Sequence, residues 1–228
     1  MMTREEFEKS LINPLAYWNN KSKTQVKALL GKEAARMVQY DQRNPHHCYD
    51  LFLHTLHTVR FISDDTPIAL RAAAFFHDIG KPYVAQDKNG RRVFYGHTQK
   101  SAEIARKLLC ELGYSFSEID YICFYISYHD DFISWVLPSD RYDHNNPFLI
   151  EITEKNVKAH IEEVGRINNP SVDVNSIELW TNILLLCSAD ISAQADIVYK
   201  DGIVIDSKEH KQSKINAINA AIQSAFTP

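Results

Sequence analysis

The 228-residue sequence predicts an all-α fold, and three observations carry that prediction. Apolar residues recur at three- and four-residue spacing through most of the chain, the period of a helix face. Glycine is scarce, at 7, and proline numbers 8, which argues against a turn-rich all-β fold and against a glycine-rich phosphate loop. Capping and breaking signals separate the periodic runs from one another.

In chain order, a first helical segment from Arg4 to about Trp18 is interrupted at Pro14. A second covers Lys21–Tyr40, where Val26, Leu29, Leu30 and Ala34 share one face. Asp41–Pro45 break the chain, and a third helix covers Tyr49–Ile62. Asp64–Asp65–Thr66–Pro67 cap the next helix, Pro67–Phe76, which is apolar on nearly every side and so predicted to be buried. Gly80–Lys81–Pro82 end it, glycine before proline. KNGRR, within Tyr83–Gly96, predicts a turn between two short strands, a hairpin near residues 83–95. Helices follow at His97–Leu112 and Ser117–His129. Trp135–Pro147 reads as a surface loop, Phe148–Ile167 as a helix and Asn168–Pro170 as a break. Ile177–Gln194 is a second strongly apolar helix, Lys200–Gly202 a turn, and Ser207–Phe226 the last helix. No linker, repeat or charge block divides the chain, so residues 1–228 are read as one domain.

Composition narrows the function. Hydrophobic residues make up 45% and charged residues 24%, ordinary globular values that exclude disordered, collagenous and low-complexity chains. The net charge of −4 weighs against a strongly basic nucleic-acid binder. Cys48, Cys110, Cys123 and Cys187 form no C-x-x-C pair, so a reduced, cytoplasmic chain is expected rather than a zinc ribbon or disulfide scaffold. The N-terminus MMTREEFEKS has no apolar signal region, and no apolar run approaches the roughly 18–20 residues that span a bilayer.

The chemistry is expected where apolar runs end on ionisable groups. AAAFF leads into His77–Asp78, YICFYISY into His129–Asp130, and NILLLCSA into Asp190. A buried, unpartnered carboxylate is costly, and no Lys or Arg lies within those runs to neutralise it. A bound cation would serve several of them together, and imidazole with carboxylate suits Fe, Mn, Zn, Ni or Co. One helix, a turn and an antiparallel return bring His54 and His77 to the same end of a helical hairpin.

The ordered set His54-Thr55-Leu56, AFFHDIGKP (Ala74–Pro82), YGH (Tyr95–His97), YHDD (Tyr128–Asp131) and SAD (Ser188–Asp190) resembles the HD-domain metal-dependent phosphohydrolase superfamily. HHCYDLFLHTL and ADISAQAD are most similar to the HD domain that accompanies CCA-adding tRNA nucleotidyltransferases. The resemblance covers about residues 45–225, with residues 1–44 as an N-terminal helical extension. It implies a helical HD bundle that hydrolyses a phosphate ester. It implies His54, His77, Asp78 and Asp190 as ligands of a first divalent metal. His97 and His129 would hold a second, with Asp78 as the bridging carboxylate, so one or two transition-metal ions are expected. Lys81 matches the family lysine that contacts substrate phosphate. No Gly-Gly segment followed by paired acids is found, so synthesis of a tRNA end is not expected from this chain alone.

Plainer roles stand beside these. His54 would be satisfied by Asp50, Asp190 by a salt bridge, His97 as a helix-start residue, His129 in solvent and Lys81 as a polar helix terminus. His77 and Asp78 fit such a role poorly, because the dipole disfavours an acid at a helix C-terminus. His57 and His47 are expected near substrate, while His144, His160 and His210 read as surface residues. The expected partner is a small phosphorylated molecule, a nucleotide above all. The acidic charge weighs only weakly against long nucleic acid, since the field at a metal site is local. The general acid is open among His57, Asp131 and a histidine near residue 46. The alternatives are a nucleotide- or RNA-binding module with a vestigial site, and a structural metal protein.

Overall fold

The computed structural model describes residues 1–142, 146, 148–167, 171–200 and 202–226. Helices dominate it, as the periodicity predicts, and the described strands occur only in two-stranded pairs. No described helix is long and apolar enough to cross a membrane.

The chain opens with α1 (Arg4–Ser10), started by a Thr3–Glu6 capping box, and α2 (Pro14–Trp18), with proline at its first position. α3 (Lys23–Ala35) kinks at Gly31, where φ is +86°, a left-handed value suited to glycine. It ends at Ala35, short of the expected Tyr40, and the following turn carries Gln39 at φ +57°. This N-terminal part packs into the core rather than lying beside it. Phe7 contacts Phe75 and Phe76, and Trp18 packs on Phe52 and Phe75.

α4 (Leu51–Phe61) is capped by Asp50, whose Oδ1 accepts from the Leu53 amide. α5 (Ile68–Phe76) is buried from Leu70 to Phe76. Arg71 is the charged exception; its guanidinium donates to the Leu11 and Ser63 carbonyls and pairs with Asp64. α5 returns along α4, so the first turn of α4 meets the end of α5. Gly80–Lys81–Pro82 does more than stop α5: it begins α6 (Lys81–Val84), with Pro82 in the first turn. The predicted hairpin is present as β1 (Gln86–Lys88) and β2 (Arg91–Val93). Asn89 and Gly90 both have positive φ in its turn.

α7 (His97–Leu112) and α8 (Phe116–Tyr128) pack against each other, and α8 covers α5. The expected surface loop at Trp135–Pro147 is corrected in its first part. β3 (Trp135–Val136) pairs in parallel with β4 (Ile150–Glu151), and Trp135 is buried against Phe132 and His160. Those indole and phenyl contacts supply burial that the polar residues downstream conceal in the sequence. The helix expected from Phe148 begins later, as α9 (Glu154–Ile167), and Phe148 itself is exposed. His144 and Asn168–Pro170 lie outside the described residues.

α10 (Ile177–Ser192) runs through the core and packs on α4, α5 and α8. The turn expected at residues 200–202 joins two strands, β5 (Ile197–Lys200) and β6 (Ile203–Ser207). An Asp-Gly pair between β-branched runs is a hairpin signal, and Gly202 has φ +78°. α11 (Lys208–Phe226) then packs on α9 and α10. One cluster of buried apolar side chains extends from Met2 to Ile222.

Candidate metal centre

Four helices and one turn deliver the site. His54 comes from the first turn of α4, His77 and Asp78 from the turn that ends α5, and His97 from the start of α7. His129 comes from the end of α8 and Asp190 from the last turn of α10. All six are buried. Two groups have ligand atoms within 4.8 Å of one another: His54, His77, Asp78 and Asp190, and Asp78, His97 and His129.

Asp78 is shared, with its two oxygens divided between the groups. Oδ2 lies 3.2 Å from His77 Nε2 and 3.5 Å from His54 Nε2. Oδ1 lies 3.2 Å from His97 Nε2 and 3.8 Å from His129 Nε2. Asp190 Oδ1 stands 2.8 Å from His54 Nε2 and 3.5 Å from His77 Nε2.

Each imidazole is oriented from behind by the backbone. Nδ1 of His77, His97 and His129 bonds the carbonyl three residues earlier, at 2.7, 3.0 and 2.7 Å. His54 Nδ1 reaches the Ala193 carbonyl at 3.3 Å. A carbonyl only accepts, so Nδ1 carries the proton and Nε2 presents a lone pair to the centre in the neutral ring. Asp50, the plainer partner for His54, is spent on capping α4.

The centre has a donor set without donors to match. His54 Nε2, His77 Nε2, both Asp78 oxygens and Asp190 Oδ1 are buried with no hydrogen bond. Lys81 Nζ stands 2.6 Å from Asp78 Oδ2, an ion-pair contact that lacks hydrogen-bond alignment. Burial is the largest influence on Asp78 and Asp190 and would raise them. The neighbouring His77 and Lys81 outweigh it at Asp78, and His54 and His77 at Asp190, so both carboxyls are held well below the usual range. Burial likewise opposes charge on His77, yet Asp78 and Asp190 raise it to about 10. Ionised carboxylates, with Nε2 atoms that present lone pairs once an incoming cation displaces their protons, are the donor chemistry of a divalent transition metal, so the residues present fit such an ion.

A cavity of about 660 Å3 opens beside the centre, and Asp78, His97, His129 and Asp190 line its floor. Lys81 also lines it, buried, with Gln42 Oε1 at 3.2 Å and His47 Nε2 at 3.3 Å. His47 lines the cavity too, and burial followed by the Lys81 charge pushes its pKa well down. His57 is not brought to the cavity. It stacks on Tyr49 with centroids 4.3 Å apart. Asp131 reaches the cavity wall but pairs with His160 at 3.0 Å. His160 is therefore no plain surface residue; it packs among Phe132, Trp135 and Trp180. His210 is half-buried, 3.5 Å from Asp140.

Sequence reasoning missed one wall. Gln194 Nε2 donates to Asp190 Oδ2 at 2.9 Å, and Lys211 Nζ donates to Gln194 Oε1 at 2.8 Å. Lys211 also pairs with Asp206 at 3.2 Å, and His46 Nδ1 lies 3.3 Å from the same carboxylate. Gln194 follows Asp190 by one helical turn, a spacing that puts both on one side.

Comparison with known proteins agrees with this geometry. The HD domain family matches residues 47–163. Over 146 residues, 60% of this chain, the sequence is 32% identical to a CC-adding tRNA nucleotidyltransferase of Thermus thermophilus. Over 71 residues, 29% of the chain, it is 35% identical to an A-adding tRNA nucleotidyltransferase of Deinococcus radiodurans. The matches span 32% of the first relative and 16% of the second. Asp190 lies beyond the family match and joins the other ligand candidates through the packing of α10. The chain belongs to the HD domain family, within the metal-dependent phosphohydrolase superfamily.

Proposed function

We propose that this chain is a metal-dependent phosphohydrolase that acts on a nucleotide or related small phosphate ester. The observation that carries the reading is the convergence of buried, hydrogen-bond-free Nε2 and carboxylate atoms on the floor of an open cavity. His54, His77, Asp78 and Asp190 would hold one divalent transition-metal ion, and Asp78, His97 and His129 a second. When bound, such ions supply Lewis acidity to the phosphate ester and to water.

The chain's own groups do the rest. Asp78, shared between the two ligand groups, sets their separation. The backbone bonds to Nδ1 fix each imidazole before substrate arrives. Lys81, steered by Gln42 and His47, presents an ammonium beside Asp78, where it neutralises charge on the phosphoryl oxygens. His47 and Asp131 line the cavity from which a leaving group takes its proton, and His57 does not. We read residues 1–228 as one HD-type domain, which the continuous core from Met2 to Ile222 supports. The thiols of Cys48 and Cys110, free and exposed, favour a cytoplasmic setting.

The tRNA nucleotidyltransferases among the relatives support a nucleotide-related ligand. They also motivate the second reading, a nucleotide- or RNA-binding module without turnover. The test is metal analysis of protein purified without added metal, followed by a phosphate-release screen over nucleotides with Mn, Ni, Co and Fe. Metal-dependent release that disappears in Asp78→Ala is expected. Ligand binding with no release under any ion would transfer the assignment to the binding module.

A further inference from the structure

We propose that the cavity contains a second anion subsite at Lys214, which takes a phosphate group other than the one at the histidine–aspartate centre. The inference rests on the hydrolase reading only for the position of the first phosphate. It makes the preferred ligand a small ester with two separate phosphates.

Size gives the first argument. Cavities of roughly 300–1,000 Å3 suit whole small molecules. At about 660 Å3 this one has room well beyond a single phosphoryl group. It extends from the floor of the centre to α11, where Lys211, Lys214 and Ile215 line it.

Charge pairing gives the second. Lys81 faces Asp78, and Lys211 is matched by Asp206. Lys214 differs from both. Among the described residues, no carboxylate lies within 4 Å of its ammonium. The acids that influence it from further away, Asp206 and Asp140, are committed elsewhere. Asp206 serves Lys211 and His46, while Asp140 accepts from the Leu137 amide and faces His210. Nζ of Lys214 makes one hydrogen bond, to the Ile133 carbonyl at 2.9 Å, which leaves donor capacity unspent.

A half-buried ammonium with no counterion loses hydration without electrostatic return. Burial accordingly pushes the Lys214 pKa down. An anion in the cavity restores the balance, as a cation does for the carboxylates on the floor. Arg91, also on the wall, faces no carboxylate within 4 Å among the described residues, but it is exposed, so it adds attraction rather than a fixed contact. The Ile133 bond alone would make Lys214 a tether between α11 and the turn after α8.

Calorimetric binding separates the two roles, with adenosine 3′,5′-bisphosphate and adenosine 5′-phosphate as probes of the 228-residue, metal-loaded chain. Wild type is expected to bind the bisphosphate about tenfold tighter, the worth of one charge-assisted contact. Lys214→Met should erase that advantage, and Lys214→Arg should keep most of it. Thermal melting of both variants identifies any loss of fold, in which case Lys214→Arg against wild type carries the comparison. Equal weakening of both probes in Lys214→Met, equal affinity of wild type for both, or no binding of either overturns the subsite. Metal-dependent phosphate release from a monoester would leave the hydrolase reading standing in each of those cases, and absence of release with a Lys214-dependent bisphosphate preference would do the reverse.

Discussion

Gln194 donates to Asp190 Oδ2 at 2.9 Å, which leaves Asp190 Oδ1 to face His54 Nε2 at 2.8 Å. One amide thereby decides which oxygen of the acid enters the centre, and Lys211 holds that amide in turn. Gln194→Leu should lower metal affinity about 10–100-fold, the usual cost of losing such a support. Calorimetric titration with Mn checks this; unchanged affinity would show that α10 packing alone orients Asp190.

The divided oxygens of Asp78 make a stoichiometry prediction. His97→Ala and His129→Ala should each retain the first metal and lose the second, while Asp78→Ala should lose both along with hydrolysis. Elemental analysis of the purified variants decides. One equivalent in wild type would assign His97 and His129 to substrate or solvent.

Metal should stabilise the fold, because it binds the assembled cluster and not the unfolded chain. At about 100 times its Kd, a ligand adds about 2.7 kcal/mol. For a chain of this size each kcal/mol moves Tm by about 2–4 °C. Thermal melting with and without EDTA should show a shift in wild type and none in Asp78→Ala. A shared melting temperature in wild type would argue against any tight site.

Gly80 joins fold to site. A Cβ there would fall 2.5 Å from the Ser101 amide nitrogen and 2.7 Å from the His97 carbonyl oxygen, both backbone atoms that yield only if α7 moves. Gly80→Ala should cost about 1–3 kcal/mol in denaturant unfolding. Because His97 rides on α7, the second metal should weaken more than the first. Wild-type stability in this variant would mean that α7 shifts freely.

Asp206 sets an acid limit for the α11 wall. Burial, the largest influence, raises its pKa, but His46 and Lys211 outweigh it and hold the group at about 2, against 3.8 ordinarily. A depressed carboxyl stabilises the fold fully above its unfolded value and loses that contribution as pH falls towards its folded one. Asp206→Asn should therefore cost about 1 kcal/mol near neutrality, allowing for solvent screening, with the difference from wild type shrinking between about pH 4 and 2. Urea unfolding across that range tests the sign, and a gap that widens on acidification would contradict it.

Much of this was legible from residue order. His77–Asp78 at the end of PIALRAAAFF and Asp190 at the end of NILLLCSAD announce buried charge, and KNGRR announces its hairpin. β3 and β4 were not legible, because they are two residues each and Trp135 is buried partly by His160, 25 residues further along the chain. The role of Gln194 was only faintly legible, since its one-turn spacing from Asp190 is common to many uncharged amides and its other partner, Lys211, arrives on α11.

The sequence by itself determined helical periodicity, the places where apolar runs meet histidine and aspartate, and membership in a family that His54 and the His77–Asp78 motif mark. Only the tertiary structure decided which oxygen of Asp78 serves which histidine pair, that His57 turns away to Tyr49, and that Lys214 reaches the cavity with no carboxylate of the described residues beside it. The reason is physical. Helical periodicity is a property of neighbours along the chain, whereas ligand geometry and unpaired charge depend on side chains that meet only after α4, α5, α7, α8, α10 and α11 have packed.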